Sequence, residues 1–448
     1  MEVFTRAQKN GSRMDLSRSA NLFQIAREFA PGGTHSNIRW REPHPIYFRK
    51  ALGAKIWDVD GNEYLDCVGN LGALILGHAD PDVIEAVKEQ LNTGITVGVE
   101  TELNVEVAKK FAKMVPCAEM VRFSTSGTEA VMNAIRLARA YTQKERIVKA
   151  EGNYHGSYDY VLCSHRYPKE DWQCPRPVPA SEGLCKDLLR STLVVPWNNL
   201  EKMEEVIHAH KDDIAAVIIE PINYNVGCAL PKRGYLEGVR ELTEKNKILL
   251  IFDEIISGFR VAPGGAQEFY HITPDLATFG KAMANGFPLS ALAGKRKIIE
   301  FTDPSLRKVF FGGTYNANQV AMAAASVCLE KLKTGEVQKY LARLTEKLVR
   351  GFKAIAARRE INARLQGFGG KFQVYFTSQE VEDLRSASTS DQGMYTEFHK
   401  GMQAEGIFWG HTPFSHNGIT AAHTEEDIEK ILKSSDETLG TMRKNMKG

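Results

Sequence analysis

The stretch Ile248-Leu249-Leu250-Ile251-Phe252-Asp253, followed 28 residues after Asp253 by Lys281 in Leu276-Ala277-Thr278-Phe279-Gly280-Lys281-Ala282-Met283-Ala284-Asn285-Gly286-Phe287-Pro288, decides how this chain is read. The first part is a short apolar run ending in a carboxylate, the pattern of a strand buried on both faces. The second is a lysine beyond another apolar run, bracketed by glycines. A pyridoxal phosphate (PLP) enzyme needs such a pair. The lysine amine forms a Schiff base with the aldehyde, and the aspartate keeps the pyridine nitrogen protonated so that the ring accepts electrons.

Working outward, Val121-Arg122-Phe123, Arg146-Ile147-Val148-Lys149 and Ala215-Ala216-Val217-Ile218-Ile219 are further short strands separated by helical patterns. Alternation of this kind from Pro81 to Val327 predicts an α/β fold with a mainly parallel sheet covered on both faces. Upstream, Leu22 to Phe29 predicts a short helix broken by Pro31-Gly32-Gly33. Lys55 to Val59 and Glu63 to Asp66 form a two-stranded meander about Asp60-Gly61-Asn62. Downstream, the charged helix Val337 to Arg359 leads into Gly367 to Phe376 and a smaller α+β part. Gln379 to Gln392 is polar and serine-rich and reads as a mobile loop. The expected division is a segment 1–80 that contributes to the small domain and the site, a large cofactor domain 81–330, and a C-terminal small domain 331–448.

With 448 residues and 43% hydrophobic content, the chain can bury a large core. Its 57 basic and 55 acidic residues give a net charge of +2 without blocks of one sign, so neither nucleic acid nor a membrane is an expected partner. Seven cysteines lie far apart with no Cys-x-x-Cys, which argues for reduced thiols. Cys163, Cys174 and Cys185 are too widely spaced for a zinc site, so no metal is expected. No signal-peptide core and no bilayer-length apolar run is present, and the expected location is the cytoplasm.

A PLP phosphate calls for exposed backbone N–H groups, hydroxyls and a helix N-terminus. Ser124-Thr125-Ser126-Gly127-Thr128-Glu129-Ala130, between a strand and the helical pattern Ala130 to Tyr141, offers all three. A bare N-cap uses the same residue types, and only the company of Lys281 and Asp253 favours the phosphate. Gly152-Asn153-Tyr154-His155-Gly156 follows a strand, where ligand-facing loops belong, and its tyrosine can stack on a ring or serve only as a half-buried turn residue. Glu220-Pro221 ends another strand, with the capping of a neighbouring helix as its alternative role.

Ser126-Gly127-Thr128-Glu129-Ala130, Tyr154-His155-Gly156, Glu220-Pro221, Asp253-Glu254, Gly280-Lys281 and Gly313-Thr314, in that order, resemble the class III PLP-dependent aminotransferases. The glutamate-1-semialdehyde aminomutase branch is the most similar. Its landmarks recur in Pro31-Gly32-Gly33 with Ser36 and Arg39, in Trp57 to Asn62, in Gly77-His78 and in Ala422 to Ile428, so that the resemblance covers about residues 20 to 435.

The resemblance implies PLP-dependent transferase fold type I with a seven-stranded sheet, Lys281 as Schiff-base lysine and proton shuttle, and Asp253 as partner of the pyridine nitrogen. It also implies a phosphate cradle of Ser126, Gly127 and Thr128, Tyr154 beside His155 and Glu220 against the ring, and Asn225 near its phenolic oxygen. Thr314 would reach the phosphate of a partner subunit, so a homodimer with shared sites is implied. Ser36 and Arg39 match groups that hold a substrate carboxylate, since a guanidinium fork grips a carboxylate bidentately. A local ion pair of Arg39 with Glu42 is the competing role.

Three departures separate the chain from that branch: Leu71 replaces an aromatic in Gly69-Asn70-Leu71-Gly72, the bulky charged run His165 to Pro175 replaces a small-residue loop, and Ser415 replaces a glutamate after Phe414. An aminomutase retains its intermediate under a covering loop. The departures therefore favour a ping-pong transaminase that passes an amino group from a carboxylate-bearing amino donor to a keto acid. The aminomutase is the next reading, then a racemase or epimerase on the same lysine, and last a PLP-fold binding protein without catalysis.

Overall fold

The computed structural model describes residues 6–9, 12–166 and 172–447. Its centre is a seven-stranded sheet in the order Met120–Ser124, Ser290–Gly294, Leu276–Phe279, Leu249–Glu254, Ile214–Ile219, Arg146–Ala150, Thr192–Val195. Ser290–Gly294 pairs antiparallel with both neighbours, and the remaining pairings are parallel. The chain thus has the expected α/β fold.

Period-two alternation explains how the sheet is covered on two sides. Leu250 and Phe252 enter one apolar cluster, while Leu249 and Ile251 enter another with Val131, Ile135 and Ala138 of the helix Gly127–Thr142. Burial of all six residues of Leu249–Glu254 matches a central strand. The alanine-rich helix Gln319–Leu332 packs into the first cluster.

Around this sheet the N- and C-terminal parts build an α+β region together. Phe48–Leu52, Lys55–Asp58 and Glu63–Asp66 form a meander to which Ile407–Phe408 adds in parallel, opposite Leu65 and Asp66. Asp58 Oδ1 accepts from Asp60 N at 3.0 Å and Asn62 N at 2.8 Å and fixes the turn. The meander has one strand more than expected, because Phe48-Arg49-Lys50-Ala51-Leu52 is charged and half-exposed and carries no apolar alternation. Arg364–Phe368, Lys371–Tyr375 and Asn417–Gly418 form a third sheet beside the long helices Glu336–Arg358 and Glu425–Lys447.

The run Gln379 to Gln392, expected to be a mobile loop, is ordered by its polar residues. Asp383 and Ser386 cap the turn Leu384–Ala387 reciprocally, and Arg385 grips Glu151 with two bonds of 3.0 and 3.1 Å. Residues 167–171 of the expected bulky run lie outside the described residues. None of the described helices is long and apolar enough to cross a membrane.

Candidate active site

Most of the candidate cofactor residues lie at or just beyond the carboxyl end of a central strand. Asp253 lies near the end of Leu249–Glu254, Tyr154 and His155 follow Arg146–Ala150, Glu220 follows Ile214–Ile219, Gly127 and Thr128 follow Met120–Ser124, and Lys281 follows Leu276–Phe279. Parallel strands align these ends on one edge, where open α/β sheets bind ligands. A cavity of about 270 Å³ there is lined by Gly127, Thr128, Tyr154, His155, Glu220, Asn225, Asp253 and Lys281.

The carboxylates are held from below. Asp253 Oδ2 meets His155 Nδ1 at 2.7 Å, and its Oδ1 accepts from Ile255 N at 3.1 Å and Thr278 Oγ1 at 3.2 Å. An ionised Asp253 requires the proton on Nδ1, and burial lowers the pKa of His155. Glu220 Oε1 accepts from Tyr154 N and Asn225 Nδ2, both at 2.8 Å, whereas its buried Oε2 has no partner. Burial, with the Asp253 charge adding to it, pushes Glu220 up to about 8. Burial also lowers the Lys281 amine to about 8, against the pull of Glu220 and Asp253. Lys281 itself has φ +44°, the left-handed region that costs a non-glycine residue about 1 kcal/mol or more.

The sequence reading gave no role at the site to Lys149 or Ile255. Lys149 is fully buried and donates to the carbonyls of Asn153, Val161 and Cys163 at 2.8, 3.3 and 2.6 Å, tying down the Tyr154–His155 loop. A lysine inside an otherwise apolar strand was the available signal. Thr125 lines the cavity, and Ile255 packs beneath Gly127 and Gly280.

The phosphate cradle is only partly as expected. The Ser126 side chain is spent on a capping box, its Oγ accepting from Glu129 N at 3.3 Å, and Ser126 does not line the cavity. Thr125, Gly127 and Thr128 do. A Cβ on Gly156, at φ +90°, would sit 2.5 Å from Thr128 Oγ1, so the close approach of these two loops requires glycine. Thr314 lies apart from the Lys281 cavity, exposed in a cleft with Val99, Val105 and Arg122.

Ser36 and Arg39 line an adjoining cavity of about 620 Å³ with Leu71, Ser415 and His416. Asn70 and Leu71 have φ of +47° and +56°, and this strained turn is pinned by Arg260 Nη2 on Gly72 O at 2.5 Å and by His416 Nε2, 3.2 Å from Leu71 O. The competing ion pair of Arg39 with Glu42 is not among those that the described residues form, and Arg39 lines the cavity instead.

Residues 37–412 match the model of the family described as aminotransferase class-III. Among curated proteins, the chain is 42% identical to a glutamate-1-semialdehyde 2,1-aminomutase of Methanothermobacter thermautotrophicus, over 95% of this chain and 100% of that one. It is 39% identical to the aminomutase of Persephonella marina, over 95% and 99%. Among solved structures, an omega-transaminase from Sphaerobacter thermophilus superposes with a TM-score of 0.90 at 35% identity over 94% and 97% of the two chains. A glutamate-1-semialdehyde aminomutase from Pseudomonas aeruginosa gives 0.85 at 25% over 94% of each.

Proposed function

The chain belongs to the class-III aminotransferase family, which is PLP-dependent, and on that premise we propose that it transfers an amino group of a carboxylate-bearing small molecule, with Lys281 as its catalytic base and acid. One observation carries the proposal: Lys281, the Asp253–His155 pair, Glu220 and Tyr154 line a single cavity, and Ser36 and Arg39 line the next. The residues fit PLP. Glu220 Oε2 and His155 Nε2 are buried without partners at the cavity, and Gly127 and Thr128 line it at the N-terminus of the helix Gly127–Thr142, a place suited to a phosphate.

When bound, PLP withdraws electrons from the substrate carbon that loses its proton. The protein residues have separate tasks in this reading. Gly127 and Thr128 would hold the phosphate, and Tyr154 would pack against the ring. Asp253, oriented by His155, Thr278 and the Ile255 N–H, supplies the charge that holds a proton on the ring nitrogen. Asn225 and Glu220, bonded to each other, would offer the ring further polar contacts. Ser36 and Arg39 fix the substrate carboxylate, so that one carbon faces Lys281. With its pKa near 8, Lys281 Nζ is neutral in part at pH 7–8 and can accept that proton and return it. Thr314 would complete the phosphate site of a second copy.

Two finer readings share this chemistry. The names of the curated relatives favour the aminomutase, which transfers within one molecule, over the transaminase that the sequence departures favour, and we place the aminomutase first. The transaminase keeps a specific support: Leu71 and Ser415 stand in the substrate cavity, and the omega-transaminase is the more identical of the two solved structures compared. A carboxylate-bearing amino donor supplied without any keto acid separates them. A transaminase releases one equivalent of keto product and stops. An aminomutase given glutamate 1-semialdehyde turns over continuously without an acceptor. Failure of the purified protein to retain PLP would sink both.

A further inference from the structure

Between the strands Ile407–Phe408 and Asn417–Gly418 runs a loop with no ladder of its own, and its residues Gly410, His411, Thr412, Ser415 and His416 line the substrate chamber. The backbone N–H and C=O groups of such a loop must find partners elsewhere. Here buried side chains supply them. Gln373 Nε2 donates to the carbonyls of Thr412, Pro413 and Ser415 at 3.1, 3.4 and 3.1 Å. Tyr395 Oη donates to Gly410 O at 2.8 Å, and Asn417 Oδ1 accepts from Gly410 N at 2.7 Å.

Gln373, Tyr395 and Asn417 also hold one another. Gln373 Oε1 accepts from Asn417 Nδ2 at 3.0 Å and from Val374 N at 2.9 Å, and it lies 3.2 Å from Tyr395 Oη. With carbonyls on Nε2 and donors on Oε1, the amide has one workable orientation, because a flip would set oxygen against oxygen. Gln373 and Asn417 stand on the neighbouring strands Lys371–Tyr375 and Asn417–Gly418, while Tyr395 comes from the helix Gln392–Ala404. All three are fully buried. A satisfied buried network stiffens what it holds, and removing one member leaves the others without partners.

The loop carries this constraint to the strained turn at Leu71. His416 Nδ1 lies 3.2 Å from Tyr224 O, and its Nε2 lies 3.2 Å from Leu71 O. Ser415 and Leu71, two of the positions that depart from the aminomutase pattern, thus rest on one scaffold. Gln373, Tyr395 and Asn417 themselves are not among the residues that line the chamber.

We infer that Gln373, with Tyr395 and Asn417, is a positioning residue for the substrate: it fixes the wall built by residues 410–416 and so sets how well the chamber fits an amino acid, without contact to substrate or cofactor. The inference deepens the amino-transfer reading and rests on it for what the chamber holds. It separates two functions of the molecule. Loss of Gln373 alters substrate binding and leaves the cofactor site, built on the ends of the central strands, as it was.

The test reads calorimetric binding of 4-aminopentanoate, which is glutamate 1-semialdehyde with a methyl in place of its aldehyde, to PLP-loaded wild type, Gln373→Met, Tyr395→Phe and Gln338→Met. Gln338 is the control, a buried glutamine that donates to Phe259 O and Leu332 O at 2.9 and 3.1 Å and does not line the chamber. Gln373→Met is expected to weaken 4-aminopentanoate about tenfold or more, with PLP affinity by absorbance titration kept within about threefold. Tyr395→Phe keeps the ring, loses the bond to Gly410, and should weaken binding about two- to fivefold. Gln338→Met should lower the melting temperature and leave binding unchanged. Binding in Gln373→Met that stays within about twofold of the wild type, or that falls only together with PLP affinity, overturns the assignment, because a merely structural residue behaves in one of those ways. An equal weakening in Gln338→Met, or a wild type that does not bind 4-aminopentanoate, overturns it as well. If Gln373→Met does not fold, Tyr395→Phe decides: weaker binding with PLP retained supports the role, and unchanged binding overturns it. The two readings fail separately. A Gln373-dependent affinity in protein that converts no amino donor keeps the positioning role and loses amino transfer, whereas turnover of glutamate 1-semialdehyde with a KM that Gln373→Met does not raise does the reverse.

Discussion

Lys281 and Glu220 line one cavity whose burial works against both charges, the amine drawn down and the carboxyl pushed up to about 8. Removing the amine removes the group that carries the proton. Lys281→Ala should lower kcat/KM by about 10³-fold or more while the melting temperature holds or rises, since alanine relieves a buried amine. Glu220 makes a claim about pH. Its carboxyl has a higher pKa in the folded chain than in the unfolded one, so between about 4.5 and 8 the native state holds more protons and stability falls as pH rises. Glu220→Gln retains the acceptor for Tyr154 N and Asn225 and loses the titration. The melting temperature of cofactor-free Glu220→Gln should therefore decline less across that range than that of the wild type, a gap on the order of 1–3 kcal/mol near pH 8. Parallel declines in both proteins would disprove the assignment.

At the scale of elements, the loop of Tyr154 and His155 owes its place to the strand before it. Lys149 Nζ satisfies three loop carbonyls, and Lys149→Met would strand them in the core. A loss of at least about 3 kcal/mol in urea unfolding is expected, with weaker PLP retention, because the same loop carries the Asp253 partner His155. Gly156→Ala tests the contact with Thr128: PLP affinity should fall by roughly tenfold or more as the two loops are forced apart. What the sequence made legible divides along the same line. The strands that lead to Asp253, Glu220 and Tyr154 were legible as short apolar runs, and Lys281 stood out by its glycine neighbours. At Ser126 an N-cap and a phosphate ligand use the same hydroxyl, so the sequence left both open, and the bond from Glu129 N shows the cap in place. Gln373 and Asn417 carried no local pattern, since 44 residues of chain separate two groups that meet only after folding.

For the whole molecule, the central sheet followed from alternation, whereas the joining of both chain ends in one small sheet did not, because pairing between Leu65 and Ile407 has no local signal. The surface beside Thr314 argues for a second copy. Val97, Val99, Phe310 and Tyr315 are 49%, 70%, 80% and 62% exposed, an apolar display that a lone soluble chain does not favour. We propose a homodimer closed across this face, and sedimentation should give twice the 49.9 kDa chain mass, with Val99→Asp combined with Phe310→Asp reverting to monomer and losing PLP affinity. The pairing of Ile407–Phe408 with Leu65 and Asp66 also sets an order of events during synthesis. A ribosome that has released residues 1–294 has supplied every strand of the central sheet, so the Lys281 cavity can close while translation continues. The substrate chamber cannot, for Phe408 and His411 arrive more than a hundred residues later. A nascent chain therefore passes through an interval in which the residues lining its Lys281 cavity have all been made and the far wall of its substrate chamber has not.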